Sequence, residues 1–258
     1  SAVREFFDGH VIIGGGISGL SAAYELAAGR VPFVLLEASD RTGGLVHTDH
    51  VDGFTIDAGA DSMLAAKPAA IRLCEELGLG PRLMSSTPPR TAFVHAHGRL
   101  HALPSPSVFG IPTTRAGLAE YSLLPAEARE HLARAMDASA VAAPRTEPED
   151  ESVADFYRRH FGPATVSLIA EPLLGGIHAG DVEKLSIAAV APRLVAAAAG
   201  GRLFQAPAEP AGGDGLFKAL RGGMGELVSA IEGRLPAGSV RGTTGADAIS
   251  FASPAWQI

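Results

Sequence analysis

The chain has 258 residues, 47% hydrophobic and 19% charged, with a formal net charge of −7. That length can bury one large core or two modest ones, and the negative balance argues against a nucleic-acid partner, which calls for a basic face. Its one cysteine, Cys74, cannot close an internal disulfide, so a reducing, cytoplasmic compartment is the simpler reading.

The opening residues, SAVREFFDGH, start at Ser1 and contain no apolar h-region of a signal peptide. HVIIGGG then reads as a short apolar strand running into glycines. ISGLSAAYELAAGR has helical spacing, with Leu20, Ala23, Tyr24 and Ala27 on one face and Gly29 as the stop. VPFVLLEA is a continuous apolar run of strand length, as expected of a parallel strand covered on both faces. Residues 10–38 therefore make a β–α–β unit.

KPAAIRLCEELGLGPRL predicts a helix stopped by Gly78, with Cys74 as a small buried hydrophobe. TAFVHAHGRLHALP predicts a β-hairpin turning at His97-Gly98. His95, His97 and His101 share strand parity, which would put them on one side, but the turn breaks that register and a solvated hairpin face is the better reading. From Arg115 to Ala143 the pattern is helical and alanine-rich. APRTEPED is a charged, proline-bearing linker. ESVADFYRRHFG and PATVSLIAEPLL predict two more helices, and GGRLFQAPAEPAGGDG a flexible loop. A helix returns after Gly222-Gly223, and GSVRGTTGADAISFASPAWQI has strand character. No apolar run reaches the roughly 18 residues that span a bilayer; the richest, IAAVAPRLVAAAAG, is broken by Pro192 and Arg193. The chain stops directly after a strand-like stretch and reads as a fragment cut at both ends.

Gly14, Gly16 and Gly19 form G-x-G-x-x-G between a strand and a helix, the context that gives this pattern meaning. The chain must turn tightly at Gly14. Its backbone must approach a pyrophosphate at Gly16, and the helix must pack on the strand at Gly19. Gly15, Ile17 and Ser18 complete the loop and the first helical turn. Glu37, 21 residues after Gly16, stands where an acid binds a ribose hydroxyl. Ala38 follows it. A glutamate there disfavours a 2′-phosphate and hence NADP.

Arg41-Thr42-Gly43-Gly44 closely follows Glu37 and resembles the R-x-G-G motif of the flavin amine oxidase superfamily, where it covers the FAD pyrophosphate. That superfamily usually carries an arginine next; here Leu45 stands in its place. GFTIDAGADSM resembles the segment that brings backbone toward the flavin, at Gly59, Ala60, Asp61 and Ser62. EPLLGGIHAGDVEKLSI, residues 171–187, resembles a signature of the protoporphyrinogen oxidases and their coproporphyrinogen-oxidising relatives. GGGISGLSAAYEL, DAGADSMLAAKPAAIRLCEELGLG, GRLHALPSPSVFGIPTT and ALRGGMGELVSAI agree with that family in order and spacing, so the resemblance covers essentially the whole chain. Members are roughly twice as long.

The resemblance implies an α/β, Rossmann-like FAD-binding domain at about residues 1–90 and 215–258, incomplete here. An α+β substrate domain would occupy about 91–214, with a helical subdomain over about 113–200. It implies oxidation of a porphyrinogen at its meso carbons in haem biosynthesis, with hydride passing to FAD and oxygen as the acceptor. The flavin carries the hard step, and no catalytic side chain and no metal are assigned. Protoporphyrinogen IX is favoured over coproporphyrinogen III, whose four carboxylates would want a more basic pocket. Other flavin amine-oxidase-type activities are the alternative. The piece alone, without a C-terminal flavin segment, is expected to be inactive.

Gly176, His178, Ala179 and Gly180 would line the substrate cavity, where backbone must approach a flat macrocycle without a Cβ in the way. Many relatives carry an aromatic at the position of His178. Arg90 is the candidate propionate anchor, since Ala92 stands where several relatives have arginine. In GTTGADAI the family's adenine-side valine aligns with Ala246, beside a one-residue insertion, and no FAD contact is assigned there. The helical stretch from Arg115 to Tyr157 is a candidate for peripheral docking on a bilayer at the cytoplasmic face. Oligomeric state is not legible.

Overall fold

A computed structural model describes residues 9–87, 91–140, 150–205, 215, 217–252 and 255–257. The chain divides into two compact units, one of residues 1–87 with 212–258 and one of residues 88–211.

The first unit opens with strand β1 (His10–Ile13), helix α1 (Ile17–Ala28) and strand β2 (Phe33–Leu36). β1 and β2 pair in parallel, His10 opposite Phe33 and Ile13 opposite Leu36. Leu20 and Ala23 of α1 are fully buried, with Tyr24 and Ala27 packed beside them, as the helical spacing requires. Gly29 caps the helix. A hairpin follows, β3 (Thr48–Val51) against β4 (Phe54–Asp57), with Thr48 opposite Asp57 at its base. After β5 (Met63–Leu64), helix α2 (Ala69–Glu76) buries Cys74 with its sulfur 4.0 Å from that of Met63. A short 3-10 turn leads into β6 (Leu83–Ser85).

The second unit begins with the hairpin β7 (Phe93–Ala96) and β8 (Arg99–Ala102). Its turn is His97-Gly98, both at positive φ, 51° and 75°, as a two-residue hairpin turn demands. The pairing sets Val94 opposite His101 and His95 opposite Leu100. His101 therefore faces inward, 2% exposed, between the Ser122 hydroxyl at 2.9 Å and the Ala96 carbonyl at 3.3 Å. His95 and His97 are exposed, so the solvated hairpin face expected for the three histidines holds for those two and fails for His101. A second small hairpin, β9 (Ser107–Val108) with β10 (Ile111–Pro112), follows.

Helices α3 (Arg115–Ala119) and α4 (Ala126–Ala140) replace the single helical stretch expected there. α3 has already ended at Ala119, with Glu120 as its C-cap, and Pro125 stands directly before α4, where a residue without an N–H is tolerated. The linker expected at residues 143–150 lies, but for Asp150, outside the described residues. Helix α5 (Val153–Phe161) is capped by Ser152, whose hydroxyl accepts the Asp155 N–H at 3.0 Å. The next helix, Val166–Gly175, is wound as a π-helix with Pro172 inside it. A helix interior that must hold a residue with no N–H tolerates this wider winding. One turn of α-helix, α6 (Gly176–His178), completes it, followed by α7 (Ile187–Val190) and α8 (Pro192–Ala199). Tyr157, Phe156, Phe161, Ile169 and Leu174 anchor this unit's core.

The chain then returns to the first unit. Strand β11 (Phe217–Leu220) pairs antiparallel between β5 and β6. Helix α9 (Gly225–Glu232) packs against α1, and β12 (Val240–Arg241) joins β2 in parallel, making β2 the central strand of β1-β2-β12. That position is why FVLL is apolar throughout. A terminal hairpin, β13 (Ser250–Ala252) with β14 (Ala255–Gln257), ends the described chain.

Replacing Ser152 with alanine leaves an N–H at the start of α5 without its cap, and is expected to destabilise the chain by about 1 kcal/mol. Urea denaturation of the parent and Ser152→Ala proteins measures it directly.

Candidate functional site

β1 delivers the chain to Gly14, at φ +95°, a conformation L side chains rarely adopt. Gly16 is extended and is the N-cap of the twelve-residue α1, with no side chain capping it and no acid in the first turn. The positive end of α1 is thus uncompensated by side chains, an arrangement that favours an anion. Gly19 has a different reason to be glycine. A Cβ there would stand 2.0 Å from the Gly14 carbonyl oxygen, so the helix rests directly on the loop. Ser18 is exposed and Ile17 half-buried.

Glu37 ties this loop to the end of β2. One carboxylate oxygen accepts the Gly15 N–H at 2.6 Å; the other accepts the Ser39 N–H at 2.8 Å and the Ser39 hydroxyl at 2.7 Å. The bonds from Ser39, with that from Gly15, lower its pKa from an ordinary 4.5 to about 2. An ionised carboxylate has about four acceptor positions, so one remains for a further donor such as a ribose hydroxyl. The strip after β12 runs alongside. Thr244 N–H donates to the Glu37 carbonyl at 2.8 Å and Thr243 N–H to that of Ser39 at 2.9 Å. A Cβ on Gly245 would touch Ala38 at 3.6 Å. Sequence reasoning assigned no contact to this strip because of its insertion. The signal available was Thr243-Thr244-Gly245 directly after a strand.

The Arg41–Leu45 turn meets the glycine loop back to back. Gly43 N–H donates to the Gly15 carbonyl at 2.8 Å. A Cβ on Gly44 would lie 3.0 Å from the Gly16 Cα. Arg41 is exposed and folds onto its own turn, donating to the Thr42 carbonyl at 3.3 Å and the Gly44 carbonyl at 3.0 Å. Leu45 is 87% exposed. Gly59 comes against it, since a Cβ there would stand 1.9 Å from the Leu45 carbonyl oxygen. Beyond it Ala60 and Asp61 are exposed, and Ser62 donates to the Asp61 carboxylate at 2.7 Å. The structure therefore brings Gly14–Gly19, Glu37, Ala38, Arg41–Leu45 and Gly59 into one region of the first unit. A bare helix N-terminus, a charged acceptor and a backbone cradle without Cβ atoms suit a dinucleotide such as FAD. A cavity of about 910 Å3 between the Arg41 turn and α9 is lined by Asp40, Thr42, His47, Arg82 and Glu226 among others, and by no residue of Gly14–Gly19.

The substrate candidates lie in the second unit, where the π-helix ends. Ala179 sits in the left-handed region, φ 47°, and its N–H donates to the Gly176 carbonyl at 3.3 Å. Gly180 N–H donates to the Gly175 carbonyl at 3.0 Å. Gly176, His178, Ala179 and Gly180 are all exposed. The glycines divide by cause. A Cβ on Gly180 would lie 2.9 Å from Leu185, so its smallness is accounted for by the chain's own packing. A Cβ on Gly176 would meet nothing within 4 Å, so only there is the backbone open to a flat partner. Ile177 between them is 68% exposed and was not singled out from sequence. Arg90 lies outside the described residues.

Residues 17–251 match the family described as flavin containing amine oxidoreductase. The coproporphyrinogen III oxidase of Bacillus subtilis (strain 168) is 38% identical over 189 residues, 71% of this chain and 39% of that protein. The coproporphyrinogen III oxidase of Mycobacterium bovis (strain ATCC BAA-935 / AF2122/97) is 35% identical, over 86% of this chain and 50% of that protein. Among solved structures, the "Putative protoporphyrinogen oxidase from Exiguobacterium sp. 255-15" superposes with a TM-score of 0.80 at 35% identity, covering 95% of this chain and 55% of that one. The chain thus spans about half the length, or less, of these curated relatives.

Two outcomes follow from the geometry. Gly19→Ala drives a methyl into the Gly14 carbonyl and is expected to cost about 1–3 kcal/mol of stability by overpacking, measured by urea denaturation. Glu37 has a depressed folded pKa, so its contribution is present above about 4.5 and lost as pH falls toward about 2. Glu37→Gln is therefore expected to lower stability at neutral pH and to flatten the parent's loss of stability across that acid window, read from melting temperatures against pH.

Proposed function

Since the chain belongs to the flavin containing amine oxidoreductase family, we propose that it is the N-terminal half of an FAD-dependent porphyrinogen oxidase of haem biosynthesis, with oxygen as the acceptor. The observation that carries this reading is the pairing of a G-x-G-x-x-G loop with the Arg41–Leu45 turn through Gly43 N–H and the Gly15 carbonyl, in a chain 38% identical to a coproporphyrinogen III oxidase. Its cofactor is FAD. When bound, FAD supplies the hydride acceptor for a substrate whose meso carbons are to be oxidised. The residues around it bind and orient. The N-terminus of α1 would hold the pyrophosphate, Glu37 would accept from the adenosine ribose, and Arg41 would add positive charge from its own turn. Gly59 to Ser62 would bring backbone toward the flavin ring. In the second unit, Gly176 offers a flat backbone approach to the macrocycle, with Ile177 and His178 as exposed side chains beside it.

Coproporphyrinogen III is the substrate favoured by the names of the relatives. Protoporphyrinogen IX is the second reading, and one observation supports it. Among the described residues of the second unit, Arg115, Arg158, Arg159 and Lys184 are paired with Asp137, Glu183, Glu151 and Asp181, so these four are committed within the chain, and protoporphyrinogen IX, with two carboxylates rather than four, asks for fewer cations. No described helix is long and apolar enough to cross a membrane. On the outer side of α4, Glu127, Glu130, His131, Arg134 and Asp137 are exposed, and among the described residues of 115–157 no large apolar side chain is. That mixed, acid-rich face supports the reading that this stretch does not dock on an anionic bilayer.

The whole protein, given each porphyrinogen under air, is expected to produce porphyrin fluorescence, faster with coproporphyrinogen III. Residues 1–258 alone are expected to turn over neither. No porphyrin from either substrate with the whole protein overturns the proposal, and the ratio of the two rates chooses between its versions.

A further inference from the structure

Helix α9 supplies no cap of its own. Its N-cap residue is Met224, which makes no capping side-chain bond, yet the first N–H groups of a helix need acceptors. They find them at the base of the β3–β4 hairpin, 167 and 177 positions away in sequence. Asp57 Oδ1 accepts the Met224 N–H at 2.9 Å, and Thr48 Oγ1 accepts the Gly225 N–H at 2.8 Å. The Thr48 hydroxyl donates to Asp57 Oδ1 at 2.5 Å, which locks the two acceptors together. The sequence around Met224 is built to admit them. A Cβ on Gly223 would lie 2.2 Å from Thr48 Cγ2, and one on Gly225 would lie 2.9 Å from Thr48 Oγ1.

From α9 the contact continues to the Arg41–Leu45 turn. The Thr42 hydroxyl donates to Glu232 at 2.5 Å. A Cβ on Gly43 would stand 3.1 Å from a Val228 methyl, so α9 lies directly behind that turn. Both loops assigned to FAD also leave the hairpin at this point. Thr48 and Asp57 are its last pair, Ala58 N–H donates to the His47 carbonyl at 2.9 Å, and Gly59 then meets the Leu45 carbonyl. Neither Thr48 nor Asp57 is among the residues assigned to the cofactor.

We propose that Asp57 and Thr48 are positioning residues for the flavin site: by closing on the first two N–H groups of α9, they fix the Arg41–Leu45 turn and the Gly59–Ser62 segment in the spacing that FAD requires. The inference rests on the FAD reading. The hydrogen bonds, rather than the charge, set the spacing, because an asparagine oxygen can accept the same two donors.

The test is a titration of the whole protein, stripped of flavin, with FAD, followed by quenching of flavin fluorescence and by the absorption band of the bound cofactor. Asp57→Ala is expected to raise the Kd about tenfold or more and to move the bound-flavin band toward that of free FAD. Asp57→Asn is expected to stay near the parent in both. Ser152→Ala, which loses a cap in the other unit, is the control for stability alone and is expected to leave both unchanged. Thr48→Val keeps the side-chain shape and removes the hydroxyl; it is expected to raise the Kd several-fold and decides the matter if Asp57→Ala does not fold. Parent-like affinity in Asp57→Ala, or in a folded Thr48→Val, overturns the inference, as does a loss in Ser152→Ala equal to that in Asp57→Ala. A parent protein that takes up no FAD overturns the cofactor reading itself, and this inference with it.

Discussion

The bond from the Gly43 N–H to the Gly15 carbonyl, 2.8 Å long, joins two glycine turns that leave the same parallel sheet. It can form only because neither turn carries side chains on the facing surface. Gly16 and Gly44 approach so closely that a single methyl on Gly44 would lie 3.0 Å from the other backbone. This contact sets the N-terminal loop of α1 against the Arg41–Leu45 turn, with Glu37 bonded to the same loop through the Gly15 N–H. A backbone hydrogen bond of this kind is worth only about 1 kcal/mol net, so the pairing needs support from around it. Glu37 supports it from the sheet side through the Gly15 N–H, and Val228 of α9 lies against Gly43 from the other.

Three helices show how caps are distributed. α5 takes its cap from the adjacent Ser152. α9 takes its caps from Thr48 and Asp57, far away in the chain. α1 takes none from any side chain, and that is the end assigned to the pyrophosphate. The first N–H groups of a helix need acceptors; α2 and α8 also lack a side-chain cap, and what sets α1 apart is that its bare end opens from a glycine loop beside Glu37, an arrangement suited to an anionic ligand. α5 and α9 are thus capped by side chains of the chain itself, and the end of α1 is the one proposed to meet the cofactor.

Much of the first unit was legible in the residues. The β–α–β unit, the burial of Leu20 and Ala23 and the burial of Cys74 follow from local periodicity, and in the second unit the hairpin turn at His97-Gly98 follows from its turn chemistry; both act over a few residues. The segments that carried the family resemblance are the ones whose backbone geometry is least substitutable: Gly14, Gly19, Gly43 and Gly59 each face an atom or a dihedral that a side chain would violate. Other features were not legible. The break between α3 and α4, residues 120–125, falls inside a stretch whose alanine content argues for one helix. The widening of Val166–Gly175 into a π-helix has the same apolar spacing as an α-helix. His101 turns inward onto the Ser122 hydroxyl, a partner that lies 21 residues away and that no hairpin pattern announces.

The sequence by itself determined the parallel β–α–β unit and the glycines that a nucleotide loop needs, because strand and helix periodicity and the steric demands of positive φ are local properties. It also determined the acid at Glu37, since its distance from Gly16 is a matter of chain length. Only the tertiary structure decided what those residues touch. Glu37 is committed first to Gly15 and Ser39, Gly180 answers to Leu185 while Gly176 alone is open, and the strip after β12 lies against Ala38. It also decided that α9 is capped by Thr48 and Asp57. Hydrogen bonds and van der Waals contacts between residues distant in the chain depend on how the elements pack, and no local pattern records which distant partner will arrive.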